Sequence, residues 1–437
     1  MKENNTLKES QCSEKNNSSM LGETKGAEVS TSLSDIISSR FFSLVILGVL
    51  GAVVFGAIIF FPSHSILFEG DFAPFYAAAT LLKDPNTAIQ IYDPVALSAI
   101  QKQIWPQMTG VYLVGYPPYV IALFIPFTGL DPVSAKALFV FLSITAVVVS
   151  SFFLVRMFPH SSDIRAQTIA TFFCFAPLFH GVFGGQNASF SLLLFTLALF
   201  LFLEKTPLAD LISGLVLGLW LFKPHFSLVI ILGFLCARRF LILPTLTLTA
   251  VGYYLLAKSY LGADWLLLWL QGLELFVPAD FQNNSHQMMS LLGVTQSILF
   301  LAQIDDLTAS IATFVISGLS LIILFFSLKP LMRTSKDAHL SQAHAIIMLA
   351  NVAILISPHT LYYDAALFLP ALYIWLQKVP VKKQAHLVLF FLLFSGLSVS
   401  LKEVMPFSLM LIPSLCLLLL QKPATSRTFL TKWCLEK

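Results

Sequence analysis

The amino-acid sequence predicts an all-α integral membrane protein, a polytopic helical bundle of about twelve transmembrane helices with a large first external loop. Three observations predict it. First, 57% of the 437 residues are hydrophobic, 40 are Phe and only 11% are charged, where a soluble domain carries roughly 25% charged residues. Second, the apolar residues fall into a succession of runs of helical length. Third, 20 of the 26 Lys and Arg residues fall into alternate loops, the pattern produced when basic residues resist translocation and collect on the cytoplasmic side. Because these residues are scattered between apolar runs, the net charge of +3 gives no patch for nucleic acid.

Residues 1–39 are rich in Ser, Asn, Lys and Glu, lack an apolar period and read as a disordered cytoplasmic tail. After so long a polar lead, the run at 41–62 reads as an uncleaved anchor and not as a signal peptide. Further spans are expected at 134–155, 167–184, 187–203, 209–222, 225–237, 240–258, 309–328, 342–356, 362–377, 385–400 and 406–420. Several are short against the ~20 residues that a bilayer core requires, which suggests tilted or half-inserted pairs. The stretch after Tyr116-Pro117-Pro118-Tyr119 is shorter still and reads as re-entrant, since counting it as a span would invert the charge bias downstream. Residues 421–437 form a cytoplasmic tail. Both termini are then inside, and two large external loops, about 63–133 and 259–308, share one face with the short links at Gly184–Gln186, Lys223–His225 and Ser357–Thr360.

The five cysteines suggest neither a disulfide framework nor a zinc site: Cys12 and Cys434 lie in the tails, and Cys174, Cys236 and Cys416 within spans. No Gly-rich phosphate loop, HExxH or GxSxG occurs. No carboxylate cluster offers a metal site, and no cofactor is expected.

The polar residues of the external face carry what chemistry there is. Asp93 and Asp131 each precede a Pro, the pairing of N-cap and first helical residue, and read as caps. Asp71 follows Gly70 and heads Phe-Ala-Pro-Phe-Tyr-Ala-Ala-Ala, a stretch expected to be amphipathic and to lie along the membrane surface. The residues alone leave Asp71 open between a plain N-cap and a general base, whose basicity partial desolvation would raise. Lys223 stands beside Pro224 and His225 on the face where lysine is disfavoured; it is either an interfacial anchor or, with His225, a cationic seat for a phosphate. The segment Ser357–Asp364 breaks a helix at Pro358, where His359 is either a satisfied helix end or a second phosphate or sugar contact, and Asp364 either caps the next helix or joins it. Gly184-Gly185-Gln186-Asn187 is a small-residue turn in which the Gln186 amide is able to bond a sugar hydroxyl.

Taken in order, "GDFAPFYAAATLL", "IYDP", "YPPYVIALFIPF", "GGQN", "LFKPH" and "SPHTLYYD" resemble glycosyltransferase family 87, membrane enzymes of the GT-C superfamily. The likeness spans roughly residues 65 to 375. It implies a GT-C-like transmembrane domain over residues 40–420, of about twelve helices, with its active site on the non-cytoplasmic face. It further implies a hexosyltransferase using a polyprenyl-phosphate sugar, mannose being the family's known case, with a lipid or glycan acceptor and inversion at the sugar. By motif match Asp71 is the base. Lys223, His225, His359, Gln186, Tyr76 and Asp364 are the candidates for binding donor phosphate or sugar. The chain has Phe75-Tyr76 where the family more often has Tyr-Tyr. Expected partners are the lipid-linked donor, the acceptor and membrane lipids, and the expected setting is a bacterial inner membrane. The alternative class is a polytopic lipid or sugar transporter or flippase, which calls for ionisable residues at mid-bilayer and paired repeats.

Overall fold

The computed structural model describes Gly70, residues 72–106, 108, 110–157, 171–172, 174–332, 338–378, 381–401 and 408–420. The chain divides after Val45 into two units, and every described residue belongs to the second, Ile46–Lys437. Among the described residues the fold is all-helical, with no strand and one isolated antiparallel bridge, Met288 with Leu361.

The helices are α1 Phe72–Lys83, α2 Pro94–Ile104, α3 Pro118–Ala122, α4 Pro132–Met157, α5 Ala176–Phe183, α6 Ala188–Glu204, α7 Pro207–Leu219 and α8 Pro224–Cys236. There follow α9 Leu243–Leu261, α10 Trp265–Asn284, α11 Leu291–Leu301, α12 Asp306–Leu328, α13 Ala338–Ile356, α14 Leu369–Lys378, α15 Val381–Ser400 and α16 Leu411–Leu420. Five of them begin on a proline, where the missing N–H belongs to the helix's unpaired first turn anyway and the fixed φ already suits a helix. Two of these starts carry the expected aspartate caps: Asp93 accepts from the Val95 amide at 2.9 Å, Asp131 from the amides of Val133 and Ser134 at 3.1 Å each. Lys205 and Arg238 end α6 and α8 in the left-handed conformation, at φ 53° and 62°.

Among the described residues three helices are long and apolar enough to cross a membrane: Pro132–Met157, Phe240–Leu261 and Leu307–Met332. A fourth span results if α5 and α6, bent by 119° at the Gly184–Asn187 break, are taken together. The other apolar helices are of 10–17 residues, in keeping with the short runs of the sequence. The run expected at 41–62 lies outside the described residues.

Two hydrophobic cores organise the molecule. The larger gathers α4 to α8 with α13, the 3₁₀ turn Tyr362–Phe368 and α14. The smaller is built by the first loop: Phe72, Phe75, Phe124 and Phe139 interleave their rings with centroids 4.6–6.3 Å apart, closed by Trp105 and by Ala257 and Trp265 from α9 and α10. Here the structure corrects the expectation for α1. It does not lie as an amphipathic helix on the membrane surface; nearly all of it, from Phe72 to Leu82, is buried, because it is apolar on every face and a helix of that kind is covered all round. Tyr116, Tyr119 and Phe190 touch both cores, and the polar breaks of the helices gather along this seam.

Candidate active site

The site begins with backbone. Gly70 takes φ +111°, and a Cβ there would stand 2.1 Å from the carbonyl oxygen of Gly184; Gly185 takes φ +74°, and its Cβ would stand 2.4 Å from that of Phe72. Only glycine meets both demands, a left-handed backbone and no side chain. Asp71 itself lies outside the described residues. Its two neighbours, however, are both seated on the Gly184-Gly185 turn.

Beyond that turn, Gln186 is 7% exposed, and its amide oxygen has no hydrogen-bond partner among the described residues. Asn187 donates its amide to the Tyr116 hydroxyl at 2.9 Å. Behind the turn, Gly181 faces the side chains of Gln186 and Tyr363, and the His180 ring meets the Tyr362 hydroxyl. The Tyr363 ring in turn lies 5.3 Å from the Lys223 ammonium.

Lys223 and its neighbours occupy the tip of a hairpin formed by α7 and α8. The far end of that hairpin is pinned where the Arg239 Nε donates to Asp210 at 2.5 Å. At the tip, the free carbonyls of a helix end are taken up by two stacked tyrosines: Tyr253 donates to Leu219 and Tyr119 to Leu221, each at 3.0 Å, with ring centroids 4.5 Å apart. Lys223 is 4% exposed and ion-paired with Asp364, equally buried, at 2.5 Å. Asp364 also accepts from the Leu361 amide at 3.3 Å, so it both caps the Tyr362–Phe368 turn and neutralises the lysine. His225 lies half-buried beside them. Its Nε2 has no hydrogen-bond partner among the described residues, and the charges of Lys223 and His359 both act on its ring. His359 stands at the wet edge, 39% exposed, with Nδ1 3.2 Å from the carboxylate of Asp280 on α10.

Of the residues singled out from sequence, Gln186, Lys223, His225, His359 and Asp364 are brought into one neighbourhood, which the residues flanking Asp71 adjoin. Tyr76 is not among them: its hydroxyl donates to the Leu130 carbonyl at 2.8 Å and its ring packs edge-on against Trp105. Its phenol therefore ties the first loop together. Sequence reasoning missed His180, Asp280, Tyr116 and Asn187. Of these His180 and Asn187 carried a signal, as polar residues bracketing a glycine turn in an otherwise apolar stretch, and Tyr116 did so as the head of the Tyr116–Tyr119 motif.

Short apolar helices whose breaks collect a lysine, two histidines and amides at one seam define an all-α membrane protein with a polar site built from interrupted helices. Glycosyltransferase family 87 matches the chain over residues 112–358, more than half of its length, and the chain belongs to that family. It is a membrane glycosyltransferase. The matched segment includes Gln186, Lys223, His225 and Asp280, and excludes Asp71, Tyr76, His359 and Asp364. No curated protein and no solved structure matches the chain.

Proposed function

We propose that the chain transfers a hexose, with mannose as the first candidate, from a polyprenyl-phosphate sugar to a hydroxyl of a lipid or glycan acceptor, with inversion, on the non-cytoplasmic face of a bacterial inner membrane. One arrangement carries this reading. The residues either side of Asp71 pack on the Gly184-Gly185 turn, and the far side of that turn leads through Gln186 and Tyr363 to Lys223 and His225. An inverting displacement requires such a separation, because the attacking hydroxyl and the departing phosphate occupy opposite faces of the anomeric carbon.

In this mechanism Asp71 takes the proton of the acceptor hydroxyl as its oxygen attacks the anomeric carbon. The bond from that carbon to the phosphate oxygen breaks, and its electron pair leaves with the polyprenyl phosphate. Lys223, His225 and His359 receive the growing negative charge in a site closed to most water, where fixed donors act strongly. Asp364 holds the ammonium in place, and the unpartnered amide oxygen of Gln186 accepts from a sugar hydroxyl.

The test is transfer of radiolabelled sugar by membranes supplied with the polyprenyl-phosphate donor. Asp71→Asn is expected to lower the rate by ~10²–10⁴, the size of a lost general base, whereas Asp93→Asn, at a residue that caps α2, leaves transfer largely intact. An Asp71→Asn protein retaining more than about a tenth of the wild-type rate removes Asp71 from the mechanism.

The same reading sets both termini in the cytoplasm, on the bias of 20 basic residues out of 26. An impermeant thiol reagent outside intact cells should then label Asn86→Cys and not Ser335→Cys. Labelling of both overturns the orientation.

A further inference from the structure

The proposed transfer asks for positive charge at the phosphate, and Lys223 cannot supply it alone. Its ammonium is already matched by Asp364, so the two together are close to neutral when seen from a distance. His225 is half-buried, with its Nε2 shut away from solvent, whereas the His359 side chain is 39% exposed.

His359 is held from three directions. Its backbone carbonyl accepts from the Ser357 hydroxyl at 3.0 Å, the edge of Phe276 stands with its centroid 6.5 Å from the imidazole, and Nδ1 lies 3.2 Å from Oδ2 of Asp280. Asp280 is only 8% exposed, and its other oxygen accepts from the Asn284 amide at 2.7 Å. Asn284 in turn accepts from Gln287 at 3.2 Å. The carboxylate is therefore itself oriented, with one oxygen committed to its own helix and the other left facing the histidine. The His359 charge acts on His225, next to Lys223.

We infer that Asp280 is a positioning residue for the transfer, resting on the phosphate-donor reading above. By accepting the Nδ1 proton of His359 it selects the tautomer and ring orientation that present Nε2 to the donor phosphate, and it supplies the counter-charge when Nε2 is protonated. A second external segment is thereby recruited to the site. Met289 donates to the Thr360 carbonyl at 3.0 Å, and Met288 bridges to Leu361, so α10 and the helix break carrying His359 are fastened together immediately beside the pair.

The experiment measures binding of polyprenyl phosphate, which involves no chemistry, to the full-length protein in detergent. Asp280→Asn is expected to weaken binding roughly ten- to a hundredfold, the effect of losing an interaction with a charged group. Asp280→Glu, which keeps a carboxylate on the same helix, should retain most of the affinity. In a His359→Gln background Asp280→Asn should add nothing further, since it acts only through the ring. Unchanged affinity in Asp280→Asn, an Asp280→Glu protein that binds no better than Asp280→Asn, or effects of Asp280→Asn and His359→Gln that multiply, overturns the inference. Should Asp280→Asn fail to fold, Asn284→Ala, which releases the carboxylate from its helix, is expected to weaken binding severalfold, and wild-type binding there overturns it equally. Asp71→Asn is the separating arm: it should bind polyprenyl phosphate normally while failing to transfer. A wild-type protein that does not bind polyprenyl phosphate defeats the donor reading itself, a result distinct from failure of the Asp280 arm.

Discussion

Replacement of Lys223 is the obvious probe of phosphate binding, and the ion pair with Asp364 makes the single substitution ambiguous. Both side chains are 4% exposed at 2.5 Å, so solvent screens the pair little. Lys223→Met leaves the Asp364 carboxylate buried with only the Leu361 amide to satisfy it. Removing one member of a buried pair costs about 3–5 kcal/mol, while replacing both with apolar residues of similar volume is close to neutral. Lys223→Met and Asp364→Leu should therefore each lower stability by about 3–5 kcal/mol, and the double variant Lys223→Met/Asp364→Leu should recover most of it, giving a coupling of similar size. Thermal unfolding in detergent, read against the scan of the wild type, supplies the stability side, and sugar transfer at matched protein level supplies the other. A double variant that is folded and inactive isolates the loss of the cation from the loss of the fold. Single variants as stable as wild type, or a double variant as unstable as the singles, refute the reasoning.

The remaining expectations concern the backbone contact and a cap. Gly70→Ala and Gly185→Ala each demand both a left-handed alanine and a Cβ inside contact distance of backbone or of Phe72, so each should lower the yield of folded protein far more than Gly252→Ala, where no atom stands within 4 Å; equal tolerance of all three in a melting assay would show the seam to be loose. At the start of α4, the Ser134 hydroxyl and amide, followed by the Val133 amide, hold the Asp131 carboxyl below its usual range. A lowered folded value means that the cap's contribution is present above the unfolded carboxylate pKa of about 3.9 and is lost as the pH falls through the folded value. The protection of the Ser134 amide, its exchange rate relative to the intrinsic rate at the same pH, should accordingly fall in acid for the wild type and be low and insensitive to that range in Asp131→Ala.

What the sequence displayed and what it hid follow from range. Asp93 and Asp131 act on amides two and three residues away, and local chemistry of that kind is written in the local sequence. So is the Gly184-Gly185 turn. The Lys223 partner lies 141 positions further on, and nothing near Lys223 announces it. Asp280 is still less visible: two residues after Pro278 on α10, it has the surroundings of an ordinary surface carboxylate. The burial of α1 is a different case, because its signal was present. Phe72, Phe75, Tyr76 and the alanines between them leave no polar face, and the amphipathic reading gave too much weight to the helix's place in a loop.

The α7–α8 hairpin also acts as a ruler. Each arm has 13 residues, about 20 Å at 1.5 Å per residue, against a hydrocarbon core of about 30 Å. Were the Asp210–Arg239 end to lie at one interface, the Lys223 tip would stop roughly 10 Å short of the other. Under the proposed function a charged headgroup bound there would sit in a dimple below the general plane of the bilayer, where its tail would have less depth to cross before meeting the opposite leaflet. The preferred prenyl chain length would then be written not in a tail-binding groove but in the number of helical turns between Thr206 and Lys223, and lengthening both arms by one turn would raise the phosphate seat by about 5 Å while leaving every residue of it unchanged.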